Sequence, residues 1–301
     1  MKIVTLTLNP AFDLHCFSKN FKPFYENLAD ITDFEAGGKG INIARALTVN
    51  GIKQTSVVLL GDENGASFEN ALKKDGIDYI GITVEGRIRE NITIHTDNAD
   101  ETRISFRGFS ADKKILKLIE DKLSDLTCGD IVTLTGRNPD GMDIADVKEF
   151  VKNLQNRGIR IVIDSRSFAL NDILEVKPWL IKPNQEEISE YLGRTVNSFE
   201  DIKSAAEELH KKGIENVMIS LGGKGAYLLC DDGEFMADAP KIDAVSTIGA
   251  GDSSIAGFIA AKKSGKTASE CLKTAVAYGT AACLSTGTRP PLEKDIKKFL
   301  K

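Results

Sequence analysis

An α/β architecture, a mostly parallel sheet with helices on both faces and a small β-sheet lid, is the fold class the sequence predicts for residues 1–301 as a single domain. Two observations predict the main body. Strand-like runs alternate with amphipathic helical runs along most of the chain. Those strand-like runs are apolar throughout instead of alternating, as strands buried on both faces are. A third observation predicts the lid: two stretches, about residues 12–36 and 88–108, break the rhythm and read as β structure.

Taken in order, "MKIVTLTLNP" reads as a buried strand running into an Asn-Pro turn, without the long apolar core and cleavage site of a signal peptide. From Phe12 to Ala36 no helix can be drawn. "QTSVVLLGD" is a continuous apolar strand, and "NGASFENALKKDG" an amphipathic helix stopped at Gly76. In "RENITIHTDNADETRISFR", alternating stretches flank a polar turn at Asp97–Asp100, which predicts a hairpin. "DIVTLTG", "IRIVIDS", "WLIKPN" and "NVMISLGG" are further strands. "DIADVKEFVKNLQNRG" and "QEEISEYLG" are helices between them.

Composition narrows the function classes. A hydrophobic share of 42% and a charged share of 28% are ordinary for a globular chain. No apolar stretch approaches the roughly 20 residues of a membrane span, and a cytoplasmic protein is expected. The five cysteines are scattered without a Cys-x-x-Cys pair, and His15, His95 and His210 are far apart in sequence, which argues against zinc and a disulfide framework. A net charge of −5 disfavours nucleic-acid binding, so an anionic substrate needs a local positive cluster.

Three glycine- or cap-like stretches carry candidate chemistry. "DAVSTIGAGDSSIAGF" puts Gly249, Ala250, Gly251 and Asp252 where a loop becomes a helix. Asp252 there is either a helix cap or a proton acceptor beside open amides that bind an anion. "EAGGKGINIARAL" brackets Lys39 with Gly38 and Gly40 at another helix start, with Asn42 just beyond. That is either a tight loop or an anion site with a positive charge. "KPNQEE" sets Asn184 and Glu187 three apart, as a capping box or as oxygen groups holding water around a magnesium ion. "SGKT" lacks the upstream glycine of a P-loop and reads as Gly265 closing one helix and Thr267 capping the next with Glu270. "GAGDSS" fails as a dinucleotide fingerprint at Ser254.

Together, "GGKGINIA", "NQEE" and "STIGAGD", in this order and separation, resemble the PfkB family of carbohydrate kinases, over essentially the whole chain. The resemblance implies a ribokinase-like three-layer sandwich with the lid closing over the site. "TLTLNPAFD" and the hairpin are similar to the phosphosugar branch, with its 1-phosphofructokinases, tagatose-6-phosphate kinases and minor 6-phosphofructokinase.

The resemblance implies that Asp252 is the general base and that the amides of Gly249, Ala250 and Gly251 form the anion hole. It implies that Asp13 and Asn42 bind sugar hydroxyls, while Lys39, Arg89 and Arg103 hold the phosphate already on the substrate, with Gly38 beside them. It further implies ATP along "SLGGKGAYL", contacting Ser220, Gly222, Gly223 and Gly225, with Lys182, Asn184 and Lys224 near its phosphates and Glu187 organising Mg2+ through water. "TAVAYGTAAC" and "STGT" would flank the adenine. A homodimer through the lid is implied as well.

The chain departs from the branch at Arg137, where relatives carry serine, and at Arg107, where a proline is usual. Arg137 is expected to supplement the phosphate clamp. The expected reaction is ATP-dependent phosphorylation of fructose 1-phosphate to fructose 1,6-bisphosphate. The alternatives are a tagatose-6-phosphate kinase or 6-phosphofructokinase, a kinase for an unphosphorylated sugar or nucleoside, and a non-catalytic binding protein.

Overall fold

The structure, a computed structural model, describes residues 1–97 and 101–300. The N-terminal third comprises β1 (Ile3–Thr7), β2 (Ala11–Ser18), β3 (Asp30–Gly37), α1 (Lys39–Val49), β4 (Thr55–Gly61), α2 (Gly65–Lys74), β5 (Tyr79–Val84), β6 (Arg89–Thr96) and β7 (Glu101–Ser105). The middle comprises α3 (Lys113–Lys122), β8 (Ile131–Thr135), α4 (Ile144–Asn156), β9 (Arg160–Asp164), α5 (Leu170–Val176), β10 (Leu180–Ile181), α6 (Gln185–Leu192) and α7 (Phe199–Lys211). Then follow β11 (Asn216–Ser220), β12 (Ala226–Cys230), β13 (Gly233–Ala237), α8 (Ala250–Lys263), α9 (Ala268–Ala282) and α10 (Glu293–Phe299). No helix among the described residues is long and apolar enough to cross a membrane.

The large sheet has the order β13-β12-β11-β10-β9-β8-β1-β4-β5, parallel from β11 to β5, with β12 and β13 added antiparallel at one edge. Successive strand residues serve opposite cores. Ile3, Ile131, Val162, Leu180 and Met218 pack with α1, α8 and α9, whereas Val4, Val132, Ile161, Ile181 and Val217 pack with the helices α2 to α7. Period-two geometry with both faces buried is why these strands read as unbroken apolar runs. The shortest, β10, ends at Lys182–Pro183, since Pro183 has no N–H to donate to a ladder. Strand order reverses at β1, whose neighbours are β4 and β8, so the crevice at the C-terminal ends of these strands is where such a sheet binds ligands.

The second sheet has the order β3-β2-β6-β7, with β2 and β6 parallel and both outer pairs antiparallel. The predicted hairpin is β6–β7; of its polar turn, residues 98–100 lie outside the described residues. Register puts Asp13 beside Asn91 and Asn91 beside Ser105, with Arg89 and Arg103 on the same face two residues away. Leu14, Phe34, Ile92 and Ile104 alternate onto the other face, where Phe34 is 52% and Ile104 44% exposed.

Helix α8 is buried nearly all round, between the sheet, α1 and α9. Its close approach to α9 requires Gly257, because a Cβ there would stand 2.7 Å from the Thr274 carbonyl oxygen and 2.8 Å from Tyr278 Cγ. Gly257→Ala is therefore expected to lower stability by about 1–3 kcal/mol, read as a fall in the calorimetric midpoint. An unchanged midpoint would show that the helices have room to spare.

Candidate functional site

A cleft of about 810 Å3 opens between the two sheets, above the C-terminal ends of the central strands. Thr7, Thr135, Asp164 and Ser220, each the last residue of its strand, line its floor. The lid's polar face supplies Asp13, Arg89, Asn91 and Arg103, and the N-terminus of α8 supplies Gly249, Gly251 and Asp252. Lys182, Asn184, Ser220 and Gly251 also line an adjoining apolar cavity of about 310 Å3 that contains Gly222, Gly223, Gly225 and Ala250. The two spaces thus meet at the glycine turn.

Gly249 is the N-cap of α8 in the left-handed region, at φ 78°, where a Cβ would be strained. Asp252 does not cap the helix: it lies inside the first turn, and its Oδ2 accepts a hydrogen bond from Asn42 Nδ2 at 2.8 Å. The Ala250 N–H points to the Thr247 carbonyl at 3.3 Å. The amides of Gly251 and Asp252 have no acceptor one turn back within the helix. Of the expected set, Ala250 is engaged with Thr247 while Gly251 is open, and Asp252 adds a second open amide. Lys182 Nζ abuts this turn; a Cβ at Gly251 would stand 3.0 Å from it. A small anion fits here, between open amides and a cation.

Asp164, which in the sequence reads only as a strand end, organises the charges. Its Oδ2 lies 3.0 Å from Lys39 Nζ and 3.8 Å from Lys182 Nζ. Burial pushes the Asp164 carboxyl up, but Lys182 and Lys39 outweigh it and hold it below its ordinary value. Burial likewise works to lower Lys39, yet Asp164 and Asp252 keep it raised and charged. Asp252 is pushed up from 3.8 to about 6, by burial above all and by Asp164, against the pull of Lys39, Asn42 and Lys182.

Lys39 and Asn42 line the same cleft as Asp13, Arg89 and Arg103, Lys39 lying against Asp164 and Asn42 donating to Asp252. Lys224 is exposed in a short 3-10 turn, Gly222–Lys224, and lines neither cavity. Asn184 and Glu187 form the reciprocal capping box of α6, the Asn184 side chain accepting from Glu187 N at 2.8 Å and Glu187 Oε2 from Asn184 N at 3.0 Å.

At the lid end, Arg89 Nε donates to Asn9 Oδ1 at 3.1 Å and Nη1 to Asn91 Oδ1 at 3.0 Å. Asp13 Oδ1 accepts from Asn91 Nδ2 at 2.8 Å and lies 3.3 Å from Arg103 Nη2. Burial, with the repulsion of Arg103 and Arg137, holds Arg89 below the usual guanidinium value against the pull of Asp13. Arg137 lines the cleft, whereas Arg107 is exposed and 4.0 Å from Asp140. Asn9, Asn91 and Arg166 also line the cleft and were missed. The alternation of Arg89 with Asn91 along a lid strand was the signal for one of them.

The Asp252 shift carries a stability consequence. Its folded-state pKa of about 6 lies above its ordinary 3.8, so its contribution is full below about pH 4 and is lost as pH rises through 6. Asp252→Asn is expected to unfold at a higher temperature than the parent at pH 8, with the difference shrinking towards pH 4. A difference independent of pH would refute the burial of an ionisable carboxyl here.

Known proteins resemble this chain throughout its length. The profile of the pfkB family carbohydrate kinase matches residues 8–295. A 1-phosphofructokinase of Haemophilus influenzae is 34% identical over 282 residues, covering 93% of this chain and 90% of that protein. The phosphofructokinase-2 of Escherichia coli, solved with potassium, superposes with a TM-score of 0.94 at 27% identity, covering 99% of this chain and 98% of that one. The same enzyme solved with fructose-6-phosphate gives 0.92 at 26% identity, with the same coverage. The chain, with its ribokinase-like fold, belongs to the pfkB family of carbohydrate kinases.

Proposed function

We propose that the protein is a 1-phosphofructokinase, transferring the γ-phosphoryl group of ATP to the free primary hydroxyl of fructose 1-phosphate to give fructose 1,6-bisphosphate and ADP. The observation that carries this reading is the convergence of Arg89, Arg103 and Arg137 at one end of the cleft, with Asp252 and the open amides of α8 at the other. Three guanidiniums with a single carboxylate, Asp13, among them leave positive charge for a phosphate dianion. The 1-phosphofructokinase relative supports the choice of sugar.

Asp252 would accept the hydroxyl proton as the sugar oxygen bonds to the γ-phosphorus and the bond to the ADP oxygen breaks. Gly251, Lys182 and Lys39 would stabilise the charge on the transferring group, which is most of what phosphoryl transfer needs. The apolar cavity, walled by Ala239, Ile242, Ala275 and Val276 and reaching Thr280 and Cys283, suits an adenine. Thr288 faces the sugar cleft and donates to Glu35 Oε2 at 3.0 Å.

Glu187 would hold Mg2+, which when bound would supply charge neutralisation for the ATP phosphates. Glu187 fits it through water, because its Oε2 is engaged in the cap while Oε1 remains, 3.9 Å from Arg166 Nε. The cytoplasm is the proposed setting.

An ADP-release assay over fructose 1-phosphate, fructose 6-phosphate, tagatose 6-phosphate and fructose tests the reading. Fructose 1-phosphate is expected to have the highest kcat/KM; preference for fructose 6-phosphate would favour the activity suggested by the Escherichia coli neighbour. Asp252→Asn should lose ~10²–10⁴ in kcat, where loss of a mere helix cap would cost about 1 kcal/mol of stability and leave chemistry intact. Arg137→Ala should raise the KM for the sugar phosphate, and an unchanged KM removes Arg137 from the clamp.

The outward lid face supports a homodimer. Leu28, Ile31, Phe34, Ile104 and Phe106 are all exposed there or at its rim, and β3 and β7 are open edges. Sedimentation is expected to show a dimer that Ile104→Asp with Phe106→Asp converts to monomer; a parent that sediments as a monomer refutes it.

A further inference from the structure

A charged residue lies behind Asn42 in the wall of α1. Arg45 follows Asn42 by three positions, so both side chains leave the helix on one side, and Arg45 is only 5% exposed. Every edge of its guanidinium is engaged. Nε donates to Asp75 Oδ2 at 2.8 Å, Nη2 to the Ala36 carbonyl at 2.5 Å and Nη1 to Asn42 Oδ1 at 3.4 Å. Asp75 caps the C-terminus of α2 and Ala36 is near the end of lid strand β3, so the guanidinium is held from outside its own helix.

A primary amide has an accepting end and a donating end, whereas a guanidinium only donates. Arg45 can therefore meet only the oxygen of Asn42, which leaves Nδ2 for Asp252 at 2.8 Å. With the amide turned over, donors would face each other at Arg45 and two oxygens would face each other at Asp252. Both contacts are repulsive, the more so in this half-buried setting. We infer that Arg45 is a positioning residue for Asp252, fixing the Asn42 amide so that a hydrogen-bond donor meets the carboxylate. This rests on the reading of Asp252 as the proton acceptor. The Asn42 donor favours the ionised carboxylate, so Arg45 keeps the base available at lower pH than burial alone would allow.

The test compares Arg45→Met, Asn42→Ala and the double variant with the parent, using fructose 1-phosphate and Mg-ATP across pH. Lys39, Asp164 and Lys182, which also face Asp252, are unchanged in all of them. Arg45→Met is expected to lower kcat by ~10-fold with little change in KM. It should move the acid limb of kcat/KM to higher pH and add nothing to Asn42→Ala in the double variant.

A purely structural Arg45 would instead lower activity at every pH, leave the acid limb in place and add to Asn42→Ala; that result overturns the inference. Should Arg45→Met not fold, Asp75→Asn keeps the guanidinium but loosens its anchor. It should move the limb in the same direction by less, and an unmoved limb overturns the inference equally. Asp252→Asn separates the two readings. Turnover at the parental rate defeats the base assignment itself, whereas a slow Asp252→Asn with unmoved limbs in the Arg45 and Asp75 variants defeats only the positioning role.

Discussion

The Asp164 carboxylate, gripped by two lysines at the end of β9, is the interaction on which the site depends. Lys39 and Lys182 come from different parts of the chain, one at the start of α1 and one just beyond β10. Without a shared counter-ion, two ammoniums converging on one point would repel. With it, Lys39 is kept charged, and each ammonium retains hydrogen-bonding capacity for another anion. The same carboxylate raises its neighbour Asp252. One buried acid therefore keeps two cations in place and helps to hold a second acid near neutrality, where a proton acceptor is most useful.

Backbone geometry delivers these groups to one place. Reversal of strand order at β1 opens the crevice, and the strand ends Thr7, Thr135 and Asp164 form its floor. Helix α8 reaches the crevice with its N-terminus, and its depth is set by Gly257 against α9. A left-handed Gly249 starts the helix abruptly enough to leave the Gly251 and Asp252 amides facing the cleft. The arrangement opposes stability, since an acid buried with a raised pKa is a net cost to the folded state at neutral pH, and the extensive double-sided core carries that cost.

Much of this was legible in the sequence, and the boundary follows the range of the interactions. The parallel strands, the lid hairpin, the capping boxes at Asn184–Glu187 and Thr267–Glu270 and the glycine turn are written in residues close along the chain. Pairings between distant segments are not. "IRIVIDS" carries no local mark that Asp164 will meet Lys39, some 125 positions earlier, and so a lysine in a glycine loop reads as a ligand group for the sugar phosphate. Asn42 lies 210 positions from Asp252. Lys224, a lysine among glycines, reads as a phosphate group's partner, and the structure sets it exposed on a 3-10 turn beside the apolar cavity.

The distribution of the arginines bears on why a phosphate should be present on the substrate at all. Arg89 and Arg103 belong to the lid, while Arg137 follows β8 in the main body. A dianion bridging them would draw lid and body together, and its binding would relieve the repulsion from Arg103 and Arg137 that adds to burial in lowering Arg89. On the proposed function, interaction with a remote, non-reacting group would thus be converted into closure around the reacting hydroxyl. The phosphate would then contribute to the rate of transfer as well as to affinity, and water would be a poor competitor, since it brings no dianion to hold the lid down.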